Sequence, residues 1–419
     1  MGLSEPMTEI SSCRMADLTA ADAVARLDPH PRLAALRAVG PLHHDPAGGA
    51  WLVPRMRDAR TILTDRSHGK NPDKADASAI SIRRRRATVP DGLAFPDDQR
   101  ASILELDDPD HARIRTPLVQ ALLARVAAFE PQAGRIVDAA LDRLAGRTHF
   151  DLMAEIAEPV PVSCIGAILG VPDDLLPSFR AWLDGIVQTF NPNRTDHEIA
   201  ALVAASNGLG AFIRESFADR KLHPRDDLFS DMARLQAGGA PLTDVEITYN
   251  LRGLLIAGNV TTTDLIGNAA RLVLTHPSQR ARLDADPLLW SSAVEETLRY
   301  DPPVDFTWRV AGRDLDLSGC PVARGAALNV FLRSANRDAA AFERPDTFDI
   351  ARNPCRHLAF GGGSHICPGA PLARIEARLV LSKLFACFPR LCLCDPDAPP
   401  LWRALPGFRG LERLDVRVD

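Results

Sequence analysis

The segment Phe360-Gly-Gly-Gly-Ser-His-Ile-Cys-Pro-Gly369 decides how this chain is read. It runs straight into Ala370-Pro-Leu-Ala-Arg374, and Leu372, Ile375 and Leu379 then recur at helical spacing, so a helix starts where the loop ends. A cysteine just before a helix meets unpaired backbone N–H groups and the positive end of the helix dipole, which together favour a thiolate. Gly361, Gly362, Gly363 and Gly369 remove side-chain bulk, so backbone can approach a large flat ligand. Phe360 is placed to shield the sulfur from water. Such a thiolate is suited to ligate haem iron.

Other chemistries fit these residues less well. A phosphate loop closes on Gly-Lys-Ser/Thr, and the segment has no Lys. A cysteine hydrolase needs a histidine delivered from elsewhere in the fold, a role that His365, two residues away, does not fill by position alone. Zinc needs paired ligands, whereas Cys392 and Cys394 are too close together and lack a second pair. A merely structural cysteine in a Gly-rich turn leaves four glycines and a flanking histidine unexplained.

Composition narrows the field further. The 419 residues are 46% hydrophobic and 25% charged, which excludes disordered and collagen-like chains. Lys plus Arg (49) against Asp plus Glu (54) leaves a net charge of −5, so there is no electrostatic case for a nucleic-acid binder. No stretch approaches the ~18 apolar residues of a membrane span, and the N-terminus lacks an apolar signal core. Pro6 stands where the myristoylation pattern wants Ser or Thr. Eight scattered cysteines without a secretory signal do not make a disulfide framework. The expectation is a soluble, cytoplasmic protein.

Helical periodicity dominates the rest, punctuated by Pro and Gly and without internal repeats. Residues 1–30 read as a loosely held lead-in with a short helix near Asp17–Leu27. Asp108-Pro109 opens a helix over His111–Val126. Thr243-Asp-Val-Glu246 is a capping box opening a long helix to about Thr275. Asp286-Pro287 starts another, ending at Tyr300. Extended pieces fall at Ala50–Val53 and from Arg309 to Val330. The reading is mainly α with a minor β-sheet region, organised as one large unit.

Taken together, Phe360–Gly369 followed by Leu372-Ala373-Arg374 resembles the haem-binding loop of the cytochrome P-450 superfamily, whose pattern is Phe-Gly-x-Gly-x-His-x-Cys-x-Gly and then Leu-Ala-Arg. The resemblance covers roughly residue 30 to the C-terminus. It implies the cytochrome P-450 fold as a single haem domain over residues 31–419, and haem b with Cys367 as its axial ligand. Glu296-Thr-Leu-Arg299 is similar to the family's Glu-x-x-Arg pair, about 70 residues before the cysteine. Phe342–Pro345, Phe348, Asp349 and Arg352 look like the meander that locks this pair, a structural role. The resemblance places His111, Arg115, Arg309 and His365 at the haem propionates, and adds Ala257 and Gly369 to the cofactor-binding set.

Ala257-Gly-Asn-Val-Thr-Thr-Thr263 sits mid-helix, where Gly costs roughly 1 kcal/mol and Thr bonds back to the i−4 carbonyl. It resembles the family's oxygen-binding motif Ala-Gly-x-(Asp/Glu)-Thr, with Thr261 matching and Val260 in place of the acid. In the family the Thr hydroxyl and that acid organise protons for dioxygen activation. Here Asn259, Asp264 or ordered water takes the acid's part, or else the enzyme uses peroxide. The implied substrate surface includes Leu254, Gly258, Val304 and Phe306, is mostly apolar, and has Asp305 nearby. Arg83-Arg84-Arg85-Arg86 reads as a solvated face or as a guide for a carboxylate substrate.

The expected activity is insertion of one atom of O2 into a small or medium apolar organic substrate. Because the haem domain uses up the chain, electrons are expected from a separate ferredoxin and an NAD(P)H-dependent ferredoxin reductase. Docking is expected near Cys367, with Arg374 and Arg378 contributing. A peroxygenase or another haem-thiolate enzyme is the alternative, and a non-enzymatic haem carrier a third.

Overall fold

The computed structural model describes residues 14–80, 102–191 and 194–418; the Arg83–Arg86 run lies outside them. The helices are α1 (Ala23–Leu27), α2 (His30–Val39), α3 (Met56–Thr64), α4 (Asp110–Asp142), α5 (Pro159–Leu169), α6 (Leu176–Ile186), α7 (Asp196–Leu222), α8 (Leu228–Ala237), α9 (Asp244–Thr275), α10 (Pro277–Ala285), α11 (Trp290–Tyr300), α12 (Leu332–Ala335) and α13 (Ala370–Cys387). The strands are β1 (His43–Asp45), β2 (Ala50–Val53), β3 (His149–Asp151), β4 (Phe306–Val310), β5 (Leu315–Leu317), β6 (Cys320–Val322), β7 (Ala327–Phe331), β8 (Leu391–Leu393) and β9 (Asp415–Val418). They form two compact units. One takes the described residues of Met1–Thr88, Glu295–Cys367 and Trp402–Arg409, the other those of Val89–Val294, Pro368–Leu401 and Gly410–Asp419.

The first unit is built on a four-stranded sheet in the order β1-β2-β7-β4. β2 runs parallel to β7, with Ala50 opposite Ala327 and Val53 opposite Val330, and β4 runs antiparallel on the other side. Every residue of β7 is buried, as expected of a central strand covered on both faces. α3 supplies part of that cover: Met56, Ala59, Ile62 and Leu63 recur at helical spacing and pack with Leu328 and Val330. Burying Ile62 completely contributes about 1.5–3 kcal/mol. In the described part of the lead-in, Leu18 packs with Leu33, Leu36 and Phe331.

The second unit is the helical one, with α9 and α4 both packed on α13, and a small sheet ordered β3-β9-β8. α9 starts as its capping box requires: Thr243 Oγ1 accepts the Glu246 N–H at 3.2 Å, and Glu246 Oε2 accepts the Thr243 N–H at 2.8 Å. α4 runs past the expected end at Val126 to Asp142 and continues through Pro131. Proline removes one backbone bond there, but Ala133, Val137, Ala140 and Leu141 keep an apolar face buried beyond it. Residues Pro287–Leu289 form a 3₁₀ turn ahead of α11, so that helix begins at Trp290.

Candidate functional site

The cysteine loop belongs to the first unit up to and including Cys367. Gly361 (φ +71°) and Gly363 (φ +68°) both adopt the left-handed conformation, which side chains resist. A Cβ on Gly363 would sit 2.1 Å from the carbonyl oxygen of Leu63, so the loop lies directly on the backbone of α3. The Cys367 N–H donates to the Phe360 carbonyl at 2.9 Å and closes the loop, while Cys367 itself is exposed. Arg309 of β4 is buried and donates to the Gly362 carbonyl at 3.2 Å, which brings one of the expected cations to the loop. His365, in the short turn Gly363–His365, is half-buried.

Behind the loop, Glu296 and Arg299 of α11 are both fully buried and meet in a two-pronged pair, 2.7 Å on each prong. Arg352 donates Nε to Glu296 Oε2 at 3.1 Å, and the Asp349 N–H donates to Glu296 Oε1 at 2.9 Å. Arg299 also donates to the carbonyls of Pro345, Asn336 and Thr347 at 2.7, 3.0 and 3.0 Å. The meander is therefore tied down by its backbone. Burial, helped by the Glu296 charge, pushes the neighbouring Cys355 thiol up to about 12, so it is no rival thiolate.

In the second unit, α9 is mostly buried but opens along one strip. Leu254 is half-buried, Ala257 and Gly258 are exposed, and Thr261 is half-buried, at i, i+3, i+4 and i+7. A Cβ on Gly258 would meet nothing within 4 Å. Thr261 Oγ1 donates to the Ala257 carbonyl at 2.8 Å, so its remaining capacity is to accept. At roughly 100° per residue, Asn259 points about 150° away from the middle of the strip and Asp264 only about 70°. Asn259 Oδ1 is buried and, among the described residues, has no hydrogen-bond partner. Val260 and Asp264 are buried as well.

His111 and Arg115 lie one turn apart on α4. Burial and then the Arg115 charge push the His111 imidazole below its usual value, so it is neutral near pH 7, with Nδ1 3.5 Å from Asp108 Oδ1. Sequence reading gave no hint of Glu376 on α13, which is buried against the Cys164 thiol of α5. Burial raises this carboxyl well above its ordinary value, only partly opposed by the Cys164 hydrogen bond. The unfolded chain releases that proton near pH 4.5 while the folded chain keeps it. Above that pH the native state therefore binds more protons, and stability falls as pH rises, by up to about 1.4 kcal/mol per unit. Glu376→Gln is expected to flatten this decline in urea melts from pH 5 to 8; an unchanged slope would refute it.

Asp305, whose orientation the sequence leaves open, faces the guanidinium of Arg333 at 2.6 Å. Arg378, expected at a docking surface, pairs with Glu130 at 2.7 Å.

Comparison with known proteins agrees with this geometry. Residues 287–400 match the family model described as Cytochrome P-450. Cytochrome P-450 107B1 of Saccharopolyspora erythraea is 35% identical over 96% of this chain and 98% of its own. The 6-deoxyerythronolide B hydroxylase of the same organism is 32% identical over 88% and 90%. Among solved structures, the cytochrome P-450 enzyme CxnD, which serves C–S bond formation in chuangxinmycin biosynthesis, superposes with a TM-score of 0.85 at 31% identity, covering 98% of each chain. The chain belongs to the cytochrome P-450 family and is a haem-thiolate monooxygenase. The family's cofactor is haem b held by a cysteine thiolate.

The residues present fit that group. One exposed cysteine on a glycine cradle would supply a single soft ligand to an iron whose other donors come from a porphyrin. Among the described residues, no cluster of three or more His, Cys, Asp or Glu converges as a protein-built metal site would. Also among them, no helix is long and apolar enough to cross a membrane.

Proposed function

We propose that this monooxygenase acts in the cytoplasm on a small or medium apolar organic molecule, using electrons from a separate ferredoxin served by an NAD(P)H-dependent reductase. The observation that carries this reading is the open strip of α9, apolar at Leu254, Ala257 and Gly258 and bearing one hydroxyl at Thr261. In the first unit, half-buried Val304 and Phe306 add apolar surface, with the Asp305 charge turned away to Arg333. Cys367 would hold the haem iron and Arg309, His365, His111 and Arg115 its propionates, with Ala257 and Gly369 as further cofactor-binding residues. The haem supplies dioxygen binding and oxygen-atom transfer.

Thr261 accepts a hydrogen bond from a water or a protonated group, and Asp264 rather than Asn259 holds the proton for delivery. Asp264 lies closer to the open strip and is the group able to ionise. Asp264→Asn is expected to lower product formed per NAD(P)H by about a hundredfold with haem content unchanged. Val260→Glu is expected to change that ratio less than about twofold. A large gain from Val260→Glu, with peroxide driving wild-type turnover, would instead favour a peroxygenase, the reading that an apolar Val260 supports.

Around the cysteine loop, Arg57 and Arg60 stand one turn apart on α3, and Arg60 reaches the Arg356 carbonyl at 3.5 Å. Arg57, Arg60 and Arg356 are exposed, and among the described residues none has a carboxylate partner. They support docking of an acidic ferredoxin. The deciding experiment is a spectral titration of the ferric protein with neutral apolar compounds and with their carboxylate analogues. Low-to-high-spin shifts with neutral compounds support the proposal. Shifts with carboxylates alone replace the substrate class, and a reconstituted protein without a haem band overturns the assignment.

A further inference from the structure

Two arginines without a part in this chemistry grip one stretch of the first unit. Arg333, fully buried on α12, donates Nε to Asp305 Oδ1 at 2.6 Å, Nη1 to Asp301, and Nη2 to the Pro302 carbonyl. Arg409 donates Nε to Asp301 Oδ1 at 3.0 Å. Its Nη1 and Nη2 reach the carbonyls of Arg26 (2.8 Å) and Leu27 (3.2 Å) in the last turn of α1, a favoured place for a cation. Its guanidinium carbon lies 3.7 Å from the Trp402 ring centroid. Burial alone would raise the Asp301 carboxyl, but the charges of Arg409 and Arg333 outweigh it and hold Asp301 ionised.

What this cluster holds is backbone. The Asp305 N–H donates to the Gly407 carbonyl at 3.0 Å, the Arg409 N–H donates to Pro303 at 2.8 Å, and Val304 pairs with Phe408 in an antiparallel bridge. Gly407 (φ +85°) comes so close to Phe306 that a Cβ would stand 3.0 Å from its ring. A two-stranded ladder this short is marginal alone. Directional guanidinium bonds at both ends fix its register.

We infer that Arg409 is a positioning residue for substrate selection. It sets the placement of Val304, Phe306 and Phe408 from behind and ties it to the Arg26–Leu27 turn, which otherwise has no part in the site. This rests on the proposed role of Val304 and Phe306 as substrate-facing residues. Selectivity then depends on a segment about 280 residues earlier in the chain than Val304 and Phe306.

The test uses haem-loaded full-length Arg409→Gln and Arg409→Lys proteins, with imidazole and 4-phenylimidazole as probes. Both probes ligate the iron, and only the second has a ring to read the surrounding walls. Arg409→Gln should leave imidazole affinity within about twofold and shift that of 4-phenylimidazole by about fivefold or more. Amide hydrogen exchange over 303–306 and 407–409 should quicken in parallel. Arg409→Lys, which keeps the charge and loses the fork, should fall between and serves if Arg409→Gln does not fold. Normal haem uptake with an unchanged affinity ratio and unchanged exchange overturns the inference alone. A wild-type protein without the reduced carbon monoxide band of a thiolate-ligated haem overturns it together with the reading it rests on.

Discussion

Cys367→Ser protein is expected to lose the reduced carbon monoxide band of a thiolate-ligated haem and at least about a thousandfold of its oxygen-dependent turnover, about 4 kcal/mol of transition-state stabilisation. The geometry makes this a clean experiment. Cys367 holds its loop through its backbone N–H on Phe360, a bond that serine retains, and its side chain is exposed rather than packed. Serine differs at one atom and does not give the electron-rich sulfur that this class of haem chemistry draws on. Thermal unfolding of the apoprotein should therefore move little while spectrum and turnover collapse. A variant that keeps its turnover would remove Cys367 from the site.

Glu296→Gln is expected to cost about 3–5 kcal/mol of stability, because it leaves Arg299 as a buried cation without its counter-charge. The loss spreads through the contacts that Glu296 gathers: both prongs to Arg299, the Arg352 guanidinium and the Asp349 N–H. Arg299 in turn holds the meander carbonyls of Pro345 and Thr347 and that of Asn336 after α12, so haem retention should fall together with the urea midpoint. A double-mutant cycle with Arg352→Ala separates the pair from the network; strong coupling is expected because both side chains meet at one carboxylate. A Glu296→Gln protein within about 1 kcal/mol of wild type would reduce the lock to passive packing.

How much of this was legible beforehand depends on range. The cysteine loop, the Thr243 capping box and the Glu296–Arg299 pair are local patterns, and each appears where the sequence puts it. Arg352 was found because the family pattern supplied what periodicity lacks. The clamp of Arg333 and Arg409 on Asp301 was not legible, since its members are joined only by folding, and an isolated Arg or Asp looks like any surface charge. The expected end of α4 at Val126 fell short, because the burial that carries the helix on to Asp142 comes from tertiary packing. Orientation was the hardest quantity to read: Asp305 lies just ahead of β4, and nothing in the local pattern predicts a guanidinium arriving from α12.

The seat of the cysteine loop has a practical corollary. Since Gly363 rests on the Leu63 carbonyl, the ten residues that carry the sulfur are not a portable cassette. Grafted into another scaffold, they would bring the thiol without the ledge that aims it. A designer who wants this ligand would have to transplant the end of α3 with it, and a library that randomises Gly363 would be sampling misfolded loops, not new catalysts.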